Sequence, residues 1–372
     1  MVEARTALRG TAWVFYAIFV LEILFMISPA ALHFYALYGP ALRFLGQHPE
    51  TAWLTQFFLP HISTTASPVL NLLGPAGWLL LALGTLFFLA SALPLYWAKI
   101  RRRGEVTGGL YRHIRHPQYV GLAIMGFGVL LIWPRFLVLV SLIVMLGLYR
   151  VLAGWEESQC LARFGEHYKD YMARTGRFVP HALQRWLPRV LPAAGPGRVV
   201  AGLAVFIATL ALSIAAAFGL RNYSLSQVAA VYQTNFAILS PAQLTEQELE
   251  AARRTAMDNE AVRAALDNAP AGKRLIYVIP ADWYLPDLPV EAQPAPGSVH
   301  HGSASFDRTH FKLLFANIRS HEPAPSGQDI VRAAYGLDPI IVARIDLAAG
   351  RVTAVERPPA HVRWGDIPTP TF

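Results

Sequence analysis

The sequence predicts an α-helical polytopic membrane domain of about five spans, two of them forming a helical hairpin, followed by a small soluble α+β domain. Three observations predict this. Only 15% of the residues are charged, against about 25% in an ordinary soluble domain. Nearly all the long apolar runs fall before Leu220. Beyond it, an amphipathic stretch and short strand-like runs take their place. The expected division is therefore residues 1–220 for the membrane domain and 221–372 for the soluble one.

The first apolar run, Thr11 to about Ala31, follows the basic opening "MVEARTALRG". It is longer than a signal-peptide core and holds Glu22, so it reads as a retained helix. An acid within a span is a functional candidate by default; Glu22 could bind the acceptor of a reaction, be neutralised by protonation, or be hydrogen-bonded to a neighbouring helix. A bilayer core takes roughly 20 apolar residues as a helix. Gly74 to Ala98, Phe136 to Ala153 and Val199 to Gly219 come near that length. Val120 to Ile132 is shorter, and the corner Trp133-Pro134-Arg135 joins it to the run that follows. This pair is the hairpin, which need not cross completely.

The loops set the orientation. Lys99 to Arg115 carries Lys99, Arg101, Arg102, Arg103, Arg112 and Arg115, and Arg150 to Arg198 is also rich in arginine. Pro29 to Ser67 has Arg43 as its only Lys or Arg. The positive-inside bias puts the N-terminus and both basic segments in the cytoplasm. Counting spans then puts the chain after Arg221 on the periplasmic or extracytoplasmic side, with a bacterial inner membrane as the expected location. In that tail, Thr245 to Asn268 has helical periodicity and opens with a Thr-x-x-Glu capping pattern. "RLIYVIP", "FKLLFANI", "PIIVARIDL" and "RVTAVERP" read as strands, the last two joined in a hairpin by "AAG". Pro280 to Pro296 reads as loop.

Several functions are disfavoured. A net charge of +8 could suit nucleic acid, but the cations border apolar spans rather than form a basic soluble face. Cys160 is the only cysteine, so no intrachain disulfide forms. His300, His301 and His310 have no carboxylate–histidine pattern around them and read as loop histidines, so no metal is expected. A transporter would need matching broken helices, which are not found.

The chemistry gathers at one lip of the membrane domain, in "GGLYRHIRHPQYVG" and "GWEESQCLARFGEHYKDYMARTGRFVP". Proline suits the first turn of a helix, and the residue before it prefers to be extended. Pro117 thus opens a helix with His116 as its cap, and the free amides together with Arg115 form an anion site. Tyr111 and Tyr119 add aromatic faces. Glu157, Leu161, Phe164, Tyr168 and Tyr171 share one helical face, provided Gly165 does not break the helix. An acid such as Glu157 at the membrane boundary needs a partner. A carboxylate opposite an anion site could hold a zwitterion such as the amino-acid end of S-adenosylmethionine. Simpler alternatives stand beside this reading. The arginines could only fix topology, His116 could only cap, Glu157 could pair with Arg150 or Arg163, and the aromatics could only pack.

These motifs resemble the isoprenylcysteine carboxyl methyltransferase family. Its wider superfamily includes phospholipid N-methyltransferases, membrane thiol methyltransferases and NnrU-like proteins. The resemblance covers roughly Gly74 to Pro180. Arg115, His116, Pro117 and Tyr119 match the RHPxY element, Glu156 and Glu157 the EE element, and Phe164, Gly165, Tyr168 and Tyr171 the tail element. Cys160 stands where the family usually has leucine, and the tail after Leu220 is not typical of it.

The resemblance implies an S-adenosylmethionine-dependent membrane methyltransferase with a cytoplasmic cofactor pocket. Arg115 and Glu157 are its expected catalytic residues. Tyr111, His116, Pro117, Tyr119, Glu156, Glu157, Phe164 and Tyr168 are the expected cofactor-binding residues. Glu157 is expected to hold the donor's ammonium and His116 its carboxylate, with Tyr119 and Tyr168 flanking the adenosyl group and Arg115 orienting the acceptor. The acceptor is lipophilic and presented from the lipid bilayer. A carboxylate of the isoprenylcysteine type needs no general base; a phospholipid amine or a small thiol remains open. The alternative is a non-catalytic membrane adaptor or regulator whose tail binds a protein partner.

Overall fold

The computed structural model describes residues 39–101, 106–184, 197–294, 297–300, 305–320, 323 and 325–360. The predicted first span and Glu22 lie outside them. The chain divides into two compact units. Among the described residues, the first falls within Ala76–Leu130 and Val138–Leu212, and the second within Leu37–Pro75, Leu131–Leu137 and Ser213–Phe372.

The helices follow the apolar runs. After a short helix α1 (Gly39–Gln47) come α2 (Pro68–Ile100), α3 (Pro117–Ile132), α4 (Phe136–Arg174) and α5 (Gly197–Leu225). Three stretches among the described residues are long and apolar enough to cross a membrane: Pro68–Ala98, Phe136–Arg174 and Val199–Leu225. Helix α3 is apolar but shorter, at 16 residues, or about 24 Å at 1.5 Å per residue. The expected count of about five spans is thus not confirmed. The helical run predicted for Phe136–Ala153 extends past it, so the EE element rides on the same helix and the FGxxYxxY element follows across Gly165. Gly165 does break that helix, with φ 57° and ψ −134°, a combination that essentially only glycine adopts without strain. The predicted five-residue face is accordingly not continuous. Leu161 is exposed, while Tyr168 and Tyr171, beyond the break, are buried.

In the first unit, α2 and α3 meet through glycines. A Cβ on Gly84 would stand 2.5 Å from the Met125 amide nitrogen. One on Gly121 would stand 2.7 Å from that of Phe88, and one on Gly128 2.6 Å from that of Leu81. Small residues at such positions let helix backbones approach closely where lipid offers no hydrophobic drive for association.

The second unit contains a six-stranded mixed sheet in the order β1-β2-β3-β6-β7-β8. Its strands are β1 (Ala229–Tyr232), β2 (Phe236–Ser240), β3 (Arg274–Pro280), β6 (His310–Ser320), β7 (Ala334–Asp346) and β8 (Arg351–Glu356). Within this sheet only β2 and β3 pair in parallel, because helices α6 (Glu246–Met257) and α7 (Glu260–Asp267) cross over between them. The predicted capping box is present at Thr245 and Glu248. The single helix expected from Thr245 to Asn268 is split, because the Asn259 side chain caps a second start. Strands β1 and β2 were not expected. Strand β4 (Trp283–Tyr284), inside the segment read as loop, pairs with β5 (Val299–His300) beyond it, so His300, like His310 at the start of β6, lies in a strand and not in a loop as expected.

Strand alternation gives this sheet two apolar faces. Ile238, Ile276, Val278, Leu313 and Phe315 pack with Leu249, Ala252, Val262 and Leu266 of α6 and α7. Leu239, Leu275, Tyr277 and Leu314 pack on the other side with Trp283, Leu285, Leu288, Ile330 and Val331. That second core also takes in Ile62, which comes from the segment before α2. Hydrogen bonds fix this segment to the sheet domain. Gln56 Nε2 donates to Ala334 O at 2.8 Å, Thr64 N to Pro241 O at 2.7 Å and Ala66 N to Gln227 O at 2.9 Å.

Candidate active site

The "RHPQY" element folds locally as proline requires. Pro117 opens α3, and the residues before it run beside the chain that follows α4. Ile114 bridges Gly176 in parallel. Arg115 N donates to Gly176 O at 2.8 Å and His116 N to Arg177 O at 3.1 Å. These backbone bonds set the ends of both motifs side by side, and their side chains then meet on Glu157.

Glu157 comes from α4 ahead of the Gly165 break and is 3% exposed. Its Oε1 accepts from Arg115 Nε at 2.7 Å and Arg177 Nε at 3.0 Å, and lies 3.2 Å from His116 Nε2. Its Oε2 accepts from Arg177 Nη2. Arg115 Nη1 donates as well to Met172 O at 3.0 Å and to Thr175 O. The partners of Glu157 are therefore Arg115, Arg177 and His116, not the Arg150 or Arg163 allowed for on spacing; the Arg163 guanidinium lies over the Phe164 ring.

Glu156 is different. Its side chain is one-third exposed, and its Oε2 lies 3.3 Å from His116 Nδ1. That nitrogen is buried and makes no aligned hydrogen bond. Glu156 Oε1 accepts from Tyr119 OH at 2.6 Å. The Tyr119 ring stacks on Tyr149 at 4.7 Å between centroids, and on His116 at 5.7 Å. Phe178 flanks His116 at 5.9 Å.

The structure thus brings Arg115, His116, Tyr119, Glu156 and Glu157 into one cluster. Tyr111 supports it from below. Its hydroxyl lies 3.2 Å from both Gln118 Oε1 and Ser91 O, its carbonyl accepts from Tyr171 OH at 2.6 Å, and burial pushes its pKa up. Tyr168 packs on Tyr171 close to Glu157 and Arg115. Phe164 is half-buried under Arg163. Arg177 and Tyr149 were not singled out from the sequence. Arg177 was counted only among the topology-setting cations, although it sits in the conspicuous "TGRFVP". Tyr149 stands seven residues before Glu156, a spacing that puts both on one helix face.

Burial alone would lower the His116 pKa, but hydrogen bonding and charge from Glu156 and Glu157 outweigh it and raise it above the ordinary histidine value. The folded state therefore holds this proton more tightly than the unfolded chain does. Its contribution to stability is complete below about pH 6.5, the unfolded value, and is lost as pH rises through the higher folded value. The Tm of the wild-type protein should fall across that window, and the fall should be shallower in His116→Gln. A wild-type Tm that rises there would contradict the assignment.

The cluster sets two guanidinium groups and an imidazole against two carboxylates, packed among the buried rings of Tyr119 and Tyr149 at the start of an apolar helix. Residues 75–167 match the family model described as phospholipid methyltransferase. The match takes in Arg115, His116, Pro117, Tyr119, Glu156, Glu157 and Phe164, and ends before Tyr168 and Arg177. No curated protein and no solved structure matches the chain. The apolar helices and this match together support a membrane protein whose residues 75–167 are similar to the phospholipid methyltransferase family, in the superfamily that also holds the isoprenylcysteine carboxyl methyltransferases.

Proposed function

We propose that this chain is an integral membrane methyltransferase that moves a methyl group from S-adenosylmethionine to a lipophilic acceptor reached from the bilayer. The observation that carries the reading is the convergence of the RHPQY and EE elements on one buried ion cluster within the family domain. The donor set suits the cofactor that the family generally uses. A zwitterion adds no net charge to the cluster. His116 Nδ1 is a buried polar atom without an aligned partner, and the partly exposed Phe178 ring offers stacking surface. S-adenosylmethionine would supply the activated methyl group.

The residues divide the work by exposure. Both oxygens of Glu157 are occupied by Arg115, Arg177 and His116, so Glu157 holds the two guanidinium groups in place. Glu156, the more exposed carboxylate, receives the donor's ammonium, and Tyr119 OH orients it. The half-buried Arg177 and the free amides at the start of α3 receive the donor's carboxylate. Held this way, donor and acceptor need only meet in line with water excluded, which is a positioning task. As acceptor a phospholipid amine comes first, since the matched family is described as phospholipid methyltransferase, with a carboxylate of the isoprenylcysteine type second.

The orientation read from the basic loops is part of the proposal. The segment before α2, the hairpin corner at 131–137 and the chain after Ser213 fall in one compact unit, as three segments on the same side of a membrane can. The cytoplasmic motif segments share the Glu157 cluster.

Calorimetry on the purified protein tests the cofactor. Glu156→Gln should weaken S-adenosylmethionine binding by about 1.5–3 kcal/mol, the range for a hydrogen bond to a charged group. Wild-type affinity in Glu156→Gln would remove Glu156 from the site. Mass spectrometry of methyl-labelled membrane extracts identifies the acceptor, and a complete absence of labelled product would favour the adaptor.

A further inference from the structure

The last span, Val199–Leu225, carries Arg221 one turn before its end, at the sheet domain. Arg221 is 3% exposed. Two of its nitrogens reach the carbonyls of Val331 and Arg332, the end of the single turn Asp329–Arg332, at 3.4 Å each. These are long contacts. Its Nε is buried with no hydrogen-bond partner. One turn further along the same helix face, Ser224 is fully buried and its Oγ has none either. The buried hydroxyl of the half-buried Tyr232 in β1, near Arg221 and Arg332, has Gln328 within reach but no aligned partner.

Among the described residues no carboxylate pairs with Arg221. The charged neighbour that it feels is a second guanidinium, Arg332, whose own acid, Asp329, stands 3.9 Å away. A buried cation without a counter-charge is costly even after relaxation, and each unsatisfied buried donor adds to the cost. Water could satisfy a donor but would leave the charge uncompensated. An anion answers both needs at once.

We infer that Arg221, Ser224 and Tyr232 enclose a binding site for a small inorganic anion of the halide class. The depth of Arg221 argues for a small ion, since a lipid phosphate with its ester chains would need the guanidinium open to the bilayer. An ion held there pins the end of the last span to β1 and to the 329–332 turn. The inference is independent of the proposed methyl transfer.

The full chain in detergent micelles, exchanged into sodium gluconate, provides the test. Sodium chloride is titrated against gluconate at constant ionic strength while thermal unfolding is followed. Parallel arms use inorganic phosphate and micelles containing phosphatidylglycerol. The wild-type Tm should rise saturably with chloride. Ser224→Ala should raise the half-saturating chloride concentration about tenfold, and Arg221→Gln should abolish the response. Should Arg221→Gln fail to fold, Ser224→Ala and Tyr232→Phe keep the charge and carry the test. A wild-type Tm equal in chloride and gluconate, a Ser224→Ala titration like the wild type's, or a response to the lipid alone would overturn the assignment.

Discussion

Replacing Glu157 by alanine is expected to destabilise the protein by about 3–5 kcal/mol, the range for removing one partner of a buried ion pair. The size follows from what the carboxylate holds. Its two oxygens take three hydrogen bonds from Arg115 and Arg177 and lie against His116. Without it, two guanidinium groups and a raised-pKa imidazole face one another with only Glu156 to offset them. Arg177 is one-fifth exposed and can turn partly to water, which pulls the figure toward the lower bound. Arg115 cannot, being 9% exposed and tied to the Met172 and Thr175 carbonyls.

The loss should therefore spread to the chain around Thr175–Phe178, which becomes sensitive to protease. Glu157→Gln keeps the shape but puts a donor among donors, and should fall between wild type and Glu157→Ala. Denaturation of the purified variants in one detergent checks the series. A cost under about 1 kcal/mol, the value of an exposed pair, would mean that the cluster is solvated and not a built site.

The second large effect is expected at Gly121. Gly121→Leu forces a side chain into backbone, since the new Cβ would sit 2.7 Å from Phe88 N and 2.8 Å from Phe88 Cα. Backbone cannot swing aside as a side-chain tip can, so α2 and α3 must separate. Overpacking costs typically 1–3 kcal/mol and sometimes more, and this contact belongs at the upper end. Gly74→Leu is the control, because nothing stands within 4 Å of its Cβ position. Helix α3 carries Pro117 and Tyr119 at its start, so Gly121→Leu should also reduce donor affinity while Gly74→Leu leaves both properties unchanged. Equal Tm values for the two variants would show that the helices do not approach as closely as described.

What was legible in the sequence is what short-range physics encodes. Apolar length gave the helices, period two gave β3, β6, β7 and β8, and Thr245 with Glu248 gave the start of α6, because each signal lies within a few residues. The short β1 and β2 carry too few residues for a period to show. The expected long face on α4 failed at Gly165 because glycine allows either a continued helix or a break, and local pattern does not choose. Ile62 could not be assigned to the sheet domain, since nothing beside it in the chain names its partners.

By itself, then, the sequence determined that the chain enters a membrane, that a soluble α+β domain follows, and that cations, acids and aromatics crowd one lip. Only the tertiary structure decided that Arg115 and Arg177 grip Glu157 while Glu156 stays open, and that Arg221 is buried with no acid beside it among the described residues. The reason is that a charge is satisfied by whatever lies within a few ångströms of it. For Glu157 those neighbours are 42 residues away at Arg115 and 20 at Arg177, distances over which no helical or strand period carries information.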